Sequence, residues 1–429
     1  MTSTPIKPSP RVRSFHPGWV AIGVTYVTLM ATAGFRSAPS VLIGPLEDSM
    51  GWSRSDISLA IAINVLLFGF VAPFAAALME KFGIRKVVIT ALTSVSIGSG
   101  LTVFMQTPLH MILLWGIVVG VGTGSMALVF AATVANTWFV ERRGLVLGLL
   151  TSATATGQLI FLPGLSHLAE TFGWKSVSMT ISLFALAVVP FIFFLLREKP
   201  ADIGLLPYGA PLDWQPPAKS EIGAARLAIE TLKEASKIRD FWYLTGSFFV
   251  CGLSTSGLVG THFIPAAHDH GMGQTTAASL LALVGVFDVI GTFASGWLTD
   301  RYDPRKLLAI YYLSRGLSLF LLPSILFSSM HPSTLVFVIF YGLDWVATVP
   351  PTIMLCRAIL GPQRGTVVYG WVFAAHQIGG SFAAFGAAIV RVKLGDYAAA
   401  FYASGIMCVL CSYFVMKIAK DKTREELLS

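Results

Sequence analysis

Gly296-Trp-Leu-Thr-Asp300-Arg301-Tyr-Asp303-Pro-Arg305-Lys306 ends one long apolar run and opens the next. The same arrangement stands far upstream, at Ala76-Ala-Leu-Met-Glu80-Lys81-Phe-Gly83-Ile-Arg85-Lys86. In both, an acid and a base close the run, a turn residue follows, and a basic pair begins the next run. One such hairpin in each half makes the chain a duplication.

The 429 residues are 55% hydrophobic and only 12% charged, against about 25% charged in a soluble domain. So few charges cannot cover a water-facing surface. Apolar runs of about 20 residues recur throughout, each long enough to cross about 30 Å of hydrocarbon. They are continuously apolar rather than alternating, which predicts helices and not barrel strands. The reading is an all-α polytopic membrane protein of twelve spans, the first expected over 18–40 and the tenth over 333–356.

The predicted organisation is a polar tail (1–17), a six-helix bundle (18–196), a linker with an amphipathic helix (197–240), a second bundle (241–417) and a short tail (418–429). The first run lacks a small-residue cleavage site and is expected to stay as a span. With both termini inside, 24 of the 30 Lys and Arg fall in or beside cytoplasmic segments. That bias predicts a multi-pass inner-membrane protein with cytoplasmic termini, and it accounts for the net charge of +8 without nucleic acid. Seven bases and seven acids cancel along the linker, so membrane lipid is the solvent of the spans and not an evident ligand of that segment.

Cys251, Cys356, Cys408 and Cys411 all lie inside spans and read as small core thiols. The glycines from Gly116 to Gly124 sit within an apolar helix with no preceding strand, so the dinucleotide fingerprint fails its context. No cofactor, metal or catalytic constellation is expected.

Six helices, a linker and six more, with hairpins in register, make two parallel repeats, and such repeats place a substrate near the midplane between them. At this point the chain resembles the major facilitator superfamily. Gly296, Asp300, Arg301, Arg305 and Lys306 fit its G-x-x-x-D-[RK]-x-G-[RK]-[RK] loop, with Asp303 where glycine is usual. The first copy keeps Lys81, Gly83, Arg85 and Lys86 but has Ala76 for glycine and Glu80 for aspartate. The resemblance implies a cytoplasmic latch at Glu80, Lys81, Gly83 and Arg85, and at Asp300, Arg301 and Arg305. It also implies a monomer. Within the superfamily, Trp138-Phe139-Val-Glu-Arg142-Arg143-Gly144, running on to Gly148 and Gly157, is similar to the monocarboxylate-porter and oxalate/formate branch. So are Gly34-Phe35-Arg36-Ser37 and Gly51-Trp52-Ser53-Arg54.

Charges inside a bilayer are costly unless paired or wet, so each is a functional candidate. Arg36 can hold a carboxylate through two parallel hydrogen bonds, and it matches the branch's basic residue in helix 1. Asp288 lies twelve residues before Asp300, roughly 18 Å up the helix, at a depth suited to loading and releasing a proton. It matches the branch's membrane aspartate, with Thr292 where an arginine often follows. Arg315 and Asp344 are the natural pair to neutralise each other. Asp344 also precedes Pro350-Pro351, which must break helix 10, so it stands equally as a coupling candidate. His376 is a candidate relay. Asn64, Gln158, His262, Tyr369 and Trp371 are expected to line the substrate path.

The resulting expectation is a proton-linked secondary transporter importing a small organic anion. An efflux antiporter for an amphipathic neutral or cationic compound, using Asp288 and Asp344, is the alternative. An intramembrane enzyme or sensor would need a catalytic constellation or an output domain, and the longest loop, the linker, is expected to carry neither.

Overall fold

The computed structural model describes residues 16–126, 128–214, 223–327 and 329–419. Most of both predicted tails, and linker residues 215–222, lie outside them. Among the described residues, twelve helices are long and apolar enough to cross a membrane. They are α1 (Gly18–Met50), α2 (Arg54–Phe82), α3 (Ile84–Leu101), α4 (Pro108–Trp138), α5 (Arg143–Phe172), α6 (Trp174–Leu195), α7 (Arg239–Asp269), α8 (Gln274–Thr299), α9 (Pro304–Ile325), α10 (Pro332–Gly361), α11 (Arg364–Leu394) and α12 (Ala398–Val415).

The helix count matches expectation; some lengths do not. α1 runs on to Met50, through Pro39 and Pro45, and stops only at Gly51. There φ is 67° and the glycine N–H bonds the carbonyl of Glu47, a left-handed cap that glycine adopts without a Cβ penalty. Ser53 then caps α2 by accepting from the Asp56 N–H. α10 likewise runs past 356 to a reversal at Leu360 and Gly361.

Two helices carry π-helical turns, Ile112–Val119 in α4 and Leu253–Val259 in α7. Such turns leave carbonyls without their usual donors, and side chains from neighbours meet them. Asn64 Nδ2 donates to Trp115 O at 2.7 Å, and Tyr341 Oη donates to Ser254 O at 2.9 Å.

Each bundle is held by close helix pairs: α1 on α5 and α3 on α6 in the first, α7 on α11, α8 on α10 and α9 on α12 in the second. Small residues set these contacts, because apolar side chains gain nothing by leaving lipid and only close packing distinguishes a partner. Across the seam, α2 runs along α11, α5 along α8 and α1 against α7. Gly69 of α2 faces the Gln377 side chain of α11 so closely that a Cβ has no room.

The linker is fastened to both bundles. Tyr208 N donates to Trp138 O (2.8 Å) and accepts from Val140 N through its own carbonyl (2.9 Å). The linker helix, Ala224–Ala235, lies against α2 and α11. Trp371 Nε1 donates to Ala228 O at 2.9 Å, and Arg364 pairs with Glu234. Below, the linker face is the one carrying this segment; the opposite face carries residues 51–53, 270–273 and 395–397.

Candidate functional site at the seam

In α1 every residue from Ala31 to Leu42 except Arg36 is buried. A helix has 3.6 residues per turn, so protein covers all its faces here. Arg36 is exposed nonetheless, and its side chain therefore reaches open space inside the protein. Its guanidinium carbon sits 4.1 Å above the centroid of Phe68 on α2, a cation–π contact. Among the described residues no acid pairs with it.

Phe68 begins an aromatic wall that crosses from one bundle to the other. Its ring is 6.2 Å from Phe373 on α11, which stacks on His376 at 5.8 Å and 7°. Tyr369 lies 6.2 Å from Phe373, and Phe248 of α7 lies 4.9 Å from His376. Tyr369, Phe373 and His376 stand at i, i+4 and i+7 on α11, one face of a helix, and all three are partly exposed. His376 Nε2 is 3.4 Å from Thr255 Oγ1, in the π-helical turn of α7, while its Nδ1 has no partner. The Tyr369 hydroxyl makes no hydrogen bond among the described residues.

Asp288 sits at a second feature, the break in α10. Pro350 and Pro351 carry no N–H, so the helix ladder fails between Asp344 and Val349. α8 repairs it from one side: Asp288 Oδ1 accepts from Val346 N (3.0 Å) and from Thr292 Oγ1 (3.1 Å), and Ser295 Oγ donates to Ala347 O (2.5 Å). Arg315 of α9 repairs it from the other. Its Nε donates to Asp344 Oδ2 at 2.6 Å, its Nη2 to Asp344 O at 2.6 Å, and its Nη1 to Cys251 Sγ at 2.9 Å. The expected Arg315–Asp344 pair is thus present and buried. Replacing Arg315 with methionine strands the Asp344 carboxylate and is expected to cost about 3–5 kcal/mol, whereas replacing both partners with apolar residues costs much less. Thermal unfolding of the two variants in detergent checks the contrast.

Three expected lining residues are placed elsewhere. His262 is fully buried, its Nε2 2.7 Å from Ala384 O, and ties α7 to α11. Asn64 is buried and serves the π-helical turn of α4. Trp371 holds the linker helix and lies edge-on to Phe74. Gln158 is partly exposed on α5, beside Gly157, which packs on the Met30 carbonyl of α1. It makes no hydrogen bond among the described residues.

The two bundles are clamped at the opposite face. Arg54 of α2 grips Asp269 of α7 with two nitrogens, at 2.7 and 2.8 Å, and donates to Glu47 at 2.6 Å. Arg391 of α11 also reaches Asp269, at 2.7 Å. Gln274 Nε2 donates to Val41 O at 2.6 Å, and Glu170 accepts from Thr275 N (2.9 Å) and Oγ1 (2.6 Å). Composition at loop ends gave no sign of this cluster.

The model of the Major Facilitator Superfamily matches residues 25–384. The chain belongs to that superfamily. It is therefore a member of a family of transporters, not of enzymes. An uncharacterized MFS-type transporter of Bacillus subtilis, YcxA, is 25% identical over 89% of this chain and 88% of its own length. Human monocarboxylate transporter 11 is 24% identical over 94% of this chain and 83% of its own. Among solved structures, a D-xylose-proton symporter superposes with a TM-score of 0.72 at 15% identity, covering 94% of this chain and 98% of that one. The inward-open xylose transporter XylE from E. coli gives 0.71 at 15% identity, covering 96% and 99%.

The superfamily's loop motifs are built differently here from the expectation that their first acids act as latches. Among the described residues, neither Glu80 nor Asp300 forms an ion pair. Glu198, just beyond α6, does the work in the first bundle: it accepts from Ile84 N (2.7 Å) and Arg85 N (3.2 Å) at the start of α3. A Cβ on Gly83 would meet its carboxylate at 2.7 Å. Arg85 donates to Phe193 O, while Lys81 is exposed and lies near Phe82. In the second bundle Asp303, standing where glycine is usual, caps α9 and pairs with Arg305 at 2.7 Å. Burial pushes the Asp303 carboxyl up, but hydrogen bonds from Arg305 outweigh it and hold the group below the usual carboxylate range. Arg305 also donates to Ile418 O at 2.9 Å, and Arg301 lies over Trp297. Both motifs thus join helices within one bundle, and among the described residues the ion pair that joins the bundles, Arg54–Asp269, lies at the opposite face.

Proposed function

We propose that the protein is a secondary active transporter of a small monocarboxylate-type organic anion, coupled to protons and working by alternating access. The observation that carries this reading is the Arg36 guanidinium, exposed inside the protein between the bundles and without an acid among the described residues. An unpaired cation in such a place is costly and is matched by an arriving carboxylate through two charge-assisted hydrogen bonds. Gln158 and Tyr369 supply further polar groups. The monocarboxylate transporters among its relatives support the same substrate class.

Proton coupling is assigned to Asp288. Its carboxylate accepts the Val346 N–H at the α10 break, so protonation weakens a bond that fixes that break. Asp344, on the same break, and His376 are the neighbouring members of this relay. The Lys and Arg bias supports an inner-membrane protein whose linker face and termini are cytoplasmic. On that orientation the Arg54–Asp269 clamp closes the outer side.

Uptake into proteoliposomes tests the coupling. An inward proton gradient is expected to drive accumulation of labelled monocarboxylate by the wild type. Asp288→Asn keeps an acceptor for Val346 but cannot load a proton, so it is expected to exchange substrate without accumulating it. Accumulation undiminished in Asp288→Asn would remove this residue from the coupling path.

A further inference from the structure

We infer that the anion is an aryl monocarboxylate, a single carboxylate carried on an aromatic ring; this rests on the reading of Arg36 as the carboxylate-binding group. Two independent features of the seam point to it.

The first is the count of cations. Arg315, the other mid-helix arginine of the spans among the described residues, is consumed by Asp344, two backbone carbonyls and Cys251. Thr292 stands one turn from Asp288 and is itself a donor to it. One guanidinium fork matches one carboxylate. A second carboxylate on the same ligand would enter without a cation, desolvated and uncompensated, which disfavours dicarboxylates.

The second is what surrounds that guanidinium. Phe68 lies directly beneath it, and Phe373, Tyr369 and His376 continue from Phe68 along one face of α11. Phe68 and Ala72 form a small cluster of their own, and Phe373 packs against both it and the main hydrophobic core. The partly exposed edges of Phe373, Tyr369 and His376 are left for a ligand to cover. An aromatic ring does so in the edge-to-face or offset geometry that aromatic pairs favour, gaining more than its buried area alone supplies. A two- or three-carbon acid would fill the guanidinium and leave the wall bare.

The test is calorimetric binding to the purified full-length protein. The probes are benzoate and phenylacetate, acetate and lactate, succinate, and benzyl alcohol as the ring without the charge. The expected result is that the aryl acids bind roughly tenfold or more tighter than the short acids, with succinate and benzyl alcohol weakest. Phe373→Leu is expected to collapse the ratio between aryl and short acids, and Phe373→Tyr, which keeps the ring, to retain it. Short acids binding as tightly as aryl acids in the wild type would overturn the inference while leaving Arg36 as the carboxylate site. Binding of no carboxylate at all would overturn that underlying reading as well.

Discussion

Arg36→Ala weakens carboxylate binding by roughly 100-fold, the expected loss when two charge-assisted hydrogen bonds worth about 3 kcal/mol together are removed. The same change leaves thermal stability of the ligand-free protein undiminished. The guanidinium has no acid partner among the described residues, so its deletion strands no buried charge. Its contact with the face of Phe68 is worth about 0.5–1 kcal/mol at a wet site and is offset by relief from an uncompensated interior cation. Arg36→Lys keeps the charge but not the fork, and is expected to recover part of the affinity and not all of it. Calorimetry on the three proteins, with melting curves beside it, separates this from a structural role. A structural arginine would lose stability and affinity together.

Asp269→Asn is expected to release the clamp on the opposite face. Asp269 stands between Arg54 and Arg391, one from each bundle, so neutralising it removes both attractions and leaves two like charges facing each other. Losing a partner from a largely buried pair costs about 3–5 kcal/mol. A shift of that size changes the ratio of closed to open forms by roughly 100-fold to several-thousand-fold. The readout is a cysteine introduced at Val41, which is fully buried beside this clamp, labelled by a maleimide that cannot cross the membrane. The four native cysteines are buried and give a low background. Labelling much faster in Asp269→Asn than in the parent places the clamp on the path of opening. Equal rates would make it a static feature.

Much of the fold was legible in the sequence for a simple reason. A run of apolar residues is judged against the thickness of a bilayer, and the two hairpins carry their charges at helix ends, where charge is conspicuous. Interior charges were legible in the same way: Arg315 and Asp344 are rare in such runs, and they meet. What failed was rotation. Each residue turns a helix by about 100°, so depth says little about which way His262, Asn64 or Trp371 points, and all three serve helix packing or the linker. Phe68 and Phe373 were hidden among 30 phenylalanines. The one available signal was the i, i+4, i+7 alignment of Tyr369, Phe373 and His376. Glu198 and Asp269 were missed because acids at loop ends are ordinary, and only the fold brings them to Ile84 and Arg54.

Thermal stability of wild type and Arg36→Ala against organic anions and cationic or neutral amphiphiles tests the central claim most directly. A ligand that binds only the folded protein stabilises it by mass action, by about 2.7 kcal/mol at 100 times its Kd, and so raises its midpoint. Monocarboxylates stabilising the wild type and failing to stabilise Arg36→Ala is the predicted result. Stabilisation by cationic or neutral amphiphiles alone, equal in both proteins, would contradict it and favour an efflux carrier.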